Sequence, residues 1–295
     1  MAYGILFGLI SAFIWATTSL AIKAQSDKIH PTSFNAFRMI VASLFTFALL
    51  PFFDGWQALT QVSSSSFIAL AASSLIGIAI GDVMYFWSLT KIGASRALPL
   101  SGAYTLFTWL IAVPVLGEPV TLGAVAGTVL VLLGVYLLSP KQDDHIHTDP
   151  RTVRIATFAA LGGAALWAIA TTLLKMGMQD SASVLVVNAV RLPVAAVATT
   201  LVGYVQARGK LWDGYTRASL PKLTLLALYS TGIGMIVWTL TVEYAGAARA
   251  SLLNTASPLI GVPLSVVFLR ERVTRLVALG TLLSVAGVWL ILLPK

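Results

Sequence analysis

The chain contains ten apolar runs of about twenty residues each, and this feature limits the folds open to it most strongly. A helix of about twenty residues crosses the roughly 30 Å hydrocarbon core of a bilayer. We therefore predict an all-α membrane protein with ten transmembrane helices. The predicted spans are 3–22, 34–52, 67–90, 97–116, 121–138, 155–174, 184–205, 223–243, 250–269 and 276–293.

The overall composition is typical of the same class. Hydrophobic residues make up 58% of the chain and charged residues only 10%, whereas a soluble domain carries about 25% charged residues. The net charge of +8 comes from lysines and arginines near the ends of the runs, which indicates a membrane surface and no nucleic-acid partner. The chain has no cysteine, so disulfides and thiol chemistry are excluded. The first run lacks a basic leader region and is predicted to be the first span.

The chain is also internally repeated. Aligning 93–140 with 246–293 pairs 18 identical residues in 48 positions, with glycine, arginine and glutamate among them. Such repetition indicates a duplicated structural unit. We predict a first five-helix repeat at 1–138 (the first half), a linker at 139–153 and a second repeat at 154–295 (the second half). The repeated landmarks are Trp15, Lys23, Asn35 and Arg38 in the first half, and Trp167, Lys175, Asn188 and Arg191 in the second.

The odd number of spans in each half has a geometric consequence. A five-helix unit begins on one side of the bilayer and ends on the other, so its second copy must run upside down. Inverted repeats of this kind are the architecture of many secondary transporters, whose substrate site lies near the midplane between the halves. The repeat and the helix count therefore predict two inverted five-helix repeats around one site.

These features together resemble the EamA-type members of the drug/metabolite transporter superfamily. Each half has an early tryptophan, an Asn-x-x-Arg motif in its second helix, and a Gly-Glu or Arg-Glu turn before its last helix. The segment 81–87, Gly-Asp-Val-Met-Tyr-Phe-Trp, followed by Ile-Gly-Ala-Ser-Arg-Ala at 92–97, is similar to a pattern in one prokaryotic branch. The resemblance implies a transporter of the prokaryotic cytoplasmic membrane that exports a small metabolite, such as an amino acid, a nucleotide-related compound or a drug.

Asp82 is the only acidic residue well inside a predicted span, and its repeat-related position holds Met235. A carboxylate at that depth is costly and usually faces a cavity or a partner. Asp82 is therefore a candidate to bind a proton or a cationic group of the substrate. The alternative is a structural hydrogen bond to a neighbouring helix. Tyr85 lies one helical turn further on and can face the same side.

Polar and aromatic side chains mark the other candidate walls of a cavity. Polar residues recur at helical spacing on repeat-related faces, as a midplane cavity requires, although the same groups also hydrogen-bond helices together in membranes. Three tryptophans lie mid-span, away from the interfacial belt, and either contact substrate or pack the bundle. The further candidates for the substrate site are Trp15, Ser101, Tyr104, Thr108, Trp167, Trp238, Asn254 and Ser257.

Charged residues near the helix ends form two candidate gating clusters, one at each mouth of the predicted cavity. Each combines three basic residues of one half with one glutamate of the other, and the two clusters could form alternately. The alternative is that the basic side chains extend to the interface and that each glutamate complements a helix dipole. The clusters are Lys23, Arg38 and Arg96 with Glu271, and Lys175, Arg191 and Arg249 with Glu118.

The sequence contains no Gly-x-x-x-x-Gly-Lys-Ser/Thr, His-Glu-x-x-His or Gly-x-Ser-x-Gly motif. His145-Ile146-His147 in the linker lacks a third metal ligand of recognisable spacing. We therefore expect no cofactor, no metal and no enzymatic activity, and transport driven by a gradient, with protons as the candidate coupling ion. The alternatives are a passive channel, a structural membrane protein, or an intramembrane enzyme, which would need a second deep catalytic group beside Asp82. The oligomeric state does not follow from the sequence.

The loops after the odd-numbered spans carry most of the lysines and arginines. By the positive-inside rule these loops are cytoplasmic and both termini face outward. Members of the superfamily are usually drawn with both termini inside. The two indications disagree, and the charge bias favours termini outside.

Overall fold

The computed structural model describes residues 2–25, 28–92, 97, 100–117, 122–138, 149–178 and 183–257, and scattered residues between 260 and 290. The described residues form helices and connecting turns and contain no strand, which confirms the predicted all-α class. The α-helices are α1 (Ala2–Gln25), α2 (Pro31–Phe53), α3 (Ser64–Ser74), α4 (Asp82–Ile92), α5 (Ala103–Leu116), α6 (Leu122–Leu138), α7 (Pro150–Gly177), α8 (Val184–Gln206), α9 (Leu220–Ala227), α10 (Gly234–Ala245) and α11 (Ala247–Asn254). A short 3-10 helix, Trp56–Gln61, precedes α3.

Six described helices are long and apolar enough to cross a membrane: Ala2–Ile22, Pro31–Phe53, Ser64–Ile92, Pro150–Gly177, Val184–Gln206 and Leu220–Ala245. They correspond to six of the ten predicted spans. The predicted spans 97–116 and 121–138 coincide with shorter apolar helices, and 250–269 and 276–293 lie largely outside the described residues. The count of ten therefore stays a prediction.

Several helices begin before the apolar stretch that marks them in the sequence. The predicted span 155–174 is part of α7, which starts at Pro150 because the Asp149 side chain accepts a hydrogen bond from the Thr152 backbone amide at 3.2 Å. Ser63 caps α3 in the same way, through the Ser66 amide at 3.2 Å. Such caps satisfy backbone amides that the first helical turn leaves free. Hydropathy detects the part of a helix in lipid, whereas the cap determines where the helix begins.

Two long spans are interrupted by π-helical segments that the sequence did not predict. Leu75–Gly81 joins α3 to α4, and Leu228–Ile233 joins α9 to α10. The segments start 153 positions apart, which is the offset of the sequence repeat. A π-segment widens the helix and is often found at functional sites. Both segments reach the central cavity described below, so the irregularity occurs at matching places in the two halves.

The halves pack against each other through recurring pairs of helices. α2 lies along α8, which is its repeat-related helix in the other half and carries the same Asn-x-x-Arg motif. α1 contacts α10 and α11, and α7 makes the repeat-related contacts with α4 and α5. The spacing Gly77-x-x-x-Gly81 lets α7 approach closely. A Cβ at Gly77 would lie 2.6 Å from the Cβ of Ala170, so the first π-segment and α7 are in contact without space for another carbon.

Candidate functional site

A cavity lies between the two halves, and both halves contribute to its wall. Its empty volume, including its opening, is about 1030 Å³. The wall is mainly apolar and aromatic with a few convergent polar groups, which is typical of small-molecule sites. Eight of the ten candidate site residues line this cavity: Trp15, Asp82, Ser101, Tyr104, Trp167, Trp238, Asn254 and Ser257.

Asp82 begins α4 at the end of the first π-segment and is 5% exposed. The Trp167 indole Nε1 donates a hydrogen bond to its Oδ1 at 2.9 Å. Arg38 of α2 is close enough to interact with the carboxylate electrostatically. Asp82 is therefore held by a tryptophan of the other half, and an arginine of its own half acts on its charge, while it faces the cavity. The two predicted roles of Asp82 were alternatives, but the structure shows features of both: a hydrogen bond to a neighbouring helix and a position in the cavity wall.

The two repeat-related tryptophans predicted to line the cavity touch each other. The rings of Trp15 and Trp167 meet edge to face at 5.6 Å. Tyr104 extends this aromatic wall, with ring centroids 6.2 Å from Trp167 and 6.5 Å from Trp238. Tyr85 lies behind the wall, fully buried, 5.1 Å from the Trp167 ring. The sequence prediction placed Tyr85 in the cavity, but it supports the tryptophans from the protein side and does not line the cavity.

Two of the predicted polar residues, Tyr104 and Thr108, lie on α5 in different environments. Tyr104 faces the cavity, and its hydroxyl shares a hydrogen bond with the Thr171 hydroxyl at 2.8 Å. Thr108 is fully buried and donates to the Tyr104 carbonyl at 2.8 Å, so it serves helix structure and is absent from the cavity wall. Thr105 hydrogen-bonds Thr255, the residue directly after α11, and so joins α5 to the end of α11. Residues at helical spacing share one face of a helix, but the neighbouring helices decide which of them reach the cavity.

Arg38 and Arg191 differ from the sequence prediction. They were assigned to the mouths of the cavity, yet the structure places both in its wall, only 2% and 4% exposed. Both lie about two turns into their helices, on faces that the opposite half covers, so the side chains reach the cavity and not the interface. The Arg38 Nε donates to the Thr231 hydroxyl of the second π-segment at 2.9 Å.

The rest of the predicted gating clusters is only partly described. Lys175 Nζ donates to the Glu243 backbone carbonyl at 3.1 Å, and Arg249 is half-buried on α11. Arg96, Glu118, Glu271 and the side chain of Lys23 lie outside the described residues. The alternate formation of the clusters therefore stays a prediction. Within the described part of the chain, no group of three or more His, Cys, Asp and Glu side chains could hold a metal.

Three functional candidates were missed by the sequence analysis: Arg38 and Arg191 as cavity residues, and Thr171. Thr171 follows Trp167 by four positions on α7, so helical spacing from that tryptophan could have identified it. Both arginines lie inside predicted spans, and this depth in the membrane could have identified them as cavity residues.

The chain is similar to known proteins over nearly its whole length. The model of the EamA-like transporter family matches residues 2–139 and 154–293. A protein of Archaeoglobus fulgidus named an uncharacterized transporter is 23% identical over 291 residues, covering 98% of each chain. YoaV of Bacillus subtilis, also named an uncharacterized transporter, is 23% identical over 97% of this chain and 96% of its own length.

A solved crystal structure has the same fold. It superposes with a TM-score of 0.79 over 99% of this chain and 97% of its own, at 18% identity. The family match covers nearly the whole chain, and the six apolar helices agree with a multi-pass protein of the cell membrane. The chain belongs to the EamA-like transporter family.

Proposed function

We propose that this protein is a secondary active transporter in which two inverted five-helix halves move a small metabolite across the cytoplasmic membrane by alternating access. One observation carries the proposal: repeat-related residues of both halves line a single cavity. The matched residues are Trp15 with Trp167, Arg38 with Arg191, and Tyr104 with Ser257. A site formed at the interface of two repeats is characteristic of such transporters.

The contacts between the halves suit a rocking motion. On one side, Ser73 donates to the Ala170 carbonyl at 2.7 Å, and Trp167 binds Asp82, so α3 and α4 are held to α7. On the other, Thr17 and Tyr229 share a hydrogen bond at 2.8 Å between α1 and the second π-segment. These helix pairs are repeat-related. We propose that transport opens one pair while the other closes.

The transported compound is proposed to be a small polar metabolite, an amino acid or a related compound, and the direction is proposed to be export. The cavity offers both charge signs, through Asp82 and the two arginines, together with aromatic walls. Asp82 is the proposed site of proton coupling, because it is the carboxylate that faces the cavity among the described residues. The lipid bilayer and the substrate are the proposed partners.

Counterflow in proteoliposomes tests the transport mechanism. Purified protein is reconstituted, loaded with unlabelled amino acids or organic acids, and assayed for uptake of the labelled compound from outside. A carrier accelerates uptake when the same compound is inside, whereas a channel gives unsaturated flux without this stimulation. Flux of the channel type for every compound that crosses would refute alternating access.

Asp82→Asn tests proton coupling in the same vesicles. The amide keeps an oxygen that can accept from Trp167 but cannot exchange a proton, so counterflow should persist while stimulation by a pH gradient is lost. Asp213→Asn, at an exposed turn residue outside the cavity, is the matched control. Retained stimulation in Asp82→Asn would assign coupling to another group.

A further inference from the structure

The two repeat-related arginines of the cavity have unequal surroundings. Arg38 donates to the Thr231 hydroxyl at 2.9 Å and interacts electrostatically with Asp82. Its guanidinium also lies 5.8 Å from the centre of the Phe34 ring. The charge of Arg38 therefore has an acceptor, a counter-ion and an aromatic neighbour within the protein. Of the Arg38 nitrogens, Nη1 alone is buried without a hydrogen-bond partner among the described residues.

Arg191 lacks the corresponding partners. Its Nε and Nη1 are buried and have no hydrogen-bond partner among the described residues. The positions that correspond to Thr231 and Asp82 by the repeat offset are Ile78 and Met235, and both line the cavity. The places that correspond to the acceptor and the carboxylate that serve Arg38 are thus held by apolar side chains around Arg191.

An unpartnered guanidinium in the wall of a cavity needs an anion. Arginine stays protonated in proteins, and a buried charge without a partner is strongly unfavourable. The described charged groups that line the cavity are Arg38, Arg191 and Asp82, which leaves one net positive charge. Because Asp82 offsets Arg38, the remaining charge belongs to Arg191, and a single negative charge would neutralise it.

We propose that Arg191 binds the carboxylate of the transported compound, so that the substrate is a small monocarboxylate-bearing metabolite. The proposal rests on the transport function proposed above. The planar guanidinium matches a carboxylate with two parallel hydrogen bonds. Asp82 in the same cavity disfavours a dianion such as a phosphate monoester.

The surroundings of Arg191 also suggest where the rest of the substrate lies. Tyr104 lines the same cavity as Arg191 and contacts the Trp167 and Trp238 rings. The apolar body of the substrate would lie against these three rings. A positively charged group on the same substrate would face Asp82, which lines the same cavity as Arg191.

The binding test uses carboxylates and their neutral amides. Phenylacetate and phenylacetamide, and isovalerate and isovaleramide, are titrated into the purified full-length protein at constant ionic strength and followed by tryptophan fluorescence, since three tryptophans line the cavity. Each carboxylate is expected to bind more tightly than its amide.

Arg191→Met should weaken carboxylate binding about 10-fold or more, the effect of one charged hydrogen-bonded pair. Arg154→Met, at an exposed arginine outside the cavity, should bind as the wild type does.

Melting temperature separates a ligand-binding arginine from a structural one. Arg191→Met removes a buried charge without a partner, so the substrate-free protein should melt no lower than the wild type. Arg38→Met leaves Asp82 uncompensated and should melt lower. Arg191→Lys keeps the charge without the planar fork and should bind carboxylates with intermediate affinity.

Several results would overturn the carboxylate site. They are equal binding of acids and amides, no binding of any carboxylate at millimolar concentration, carboxylate binding unchanged in Arg191→Met, and binding of inorganic phosphate alone. A melting temperature of both Arg191 variants as low as that of Arg38→Met would make the arginine structural. Counterflow restricted to neutral or cationic compounds would refute the carboxylate site but not the transport function. Carboxylate binding without any counterflow would refute the transport function but not the carboxylate site.

Discussion

One close contact between the halves can be tested by moving a methyl group across it. Gly77 in the first π-segment faces Ala170 of α7, and a Cβ at position 77 would lie 2.6 Å from the Ala170 Cβ. Overpacking of this kind costs about 1–3 kcal/mol. Alanine is favoured over glycine in a helix by about 1 kcal/mol. The clash prevails, so Gly77→Ala should destabilise the protein by up to about 2 kcal/mol.

The opposite substitution, Ala170→Gly, tests whether the two residues are in direct contact. Ala170→Gly alone should cost about 1 kcal/mol through helix propensity. The double variant Gly77→Ala/Ala170→Gly replaces one Cβ by the other across the same gap, so its stability should return close to that of the wild type. The two substitutions should then show a favourable coupling of about 1–3 kcal/mol, as expected for residues in direct contact.

Unfolding of the four proteins in mixed detergent micelles measures the cycle. Gly261→Ala is the control, because its Cβ would lie at an ordinary 3.6 Å from the Ala16 Cβ and needs no movement. Additive effects of the two substitutions, or a Gly77→Ala protein as stable as the control, would refute the argument that this interface has no space for a further carbon.

Three further predictions concern single groups. Trp167→Phe keeps an aromatic ring but removes the indole donor to Asp82, so detergent unfolding should show a loss of about 1.5–3 kcal/mol, the worth of a hydrogen bond to a charged group; an unchanged stability would contradict the observed bond. Thr231→Val leaves the Arg38 Nε without its acceptor and should cost about 1–3 kcal/mol, whereas Thr231→Ser should restore most of the loss. A reporter fused at Lys295 that fluoresces only in the cytoplasm should stay dark if the charge bias sets the topology, and a bright fusion would place the carboxyl terminus inside.

The sequence predicted the helical class and the six long spans because a lipid-crossing helix needs a continuous apolar run of a definite length. It also identified Asp82, since a carboxylate inside such a run is costly and conspicuous. The π-segments Leu75–Gly81 and Leu228–Ile233 were not predictable in this way. A π-turn changes the hydrogen-bond register and leaves the apolar composition unaltered, so hydropathy does not detect it.

The cavity residues were predicted unevenly for a related reason. In a soluble helix the polar face marks the side that meets water, but in lipid both the bilayer and the neighbouring helices are apolar. Spacing alone therefore grouped Thr108 with Tyr104, although only Tyr104 reaches the cavity. Tyr85 was grouped with Asp82 for the same reason and lies behind the tryptophans.

The amino-acid sequence by itself determined that this chain is a bundle of membrane helices with an internal repeat, because run length and residue identity are local properties. Only the tertiary structure decided that Arg38 and Arg191 share one cavity and that their surroundings differ. That difference arises because Thr231 of the second half provides an acceptor to Arg38, whereas the repeat-related position in the first half holds Ile78, which has no polar group. Partners that come from the opposite half are distant in sequence, and packing alone brings them together.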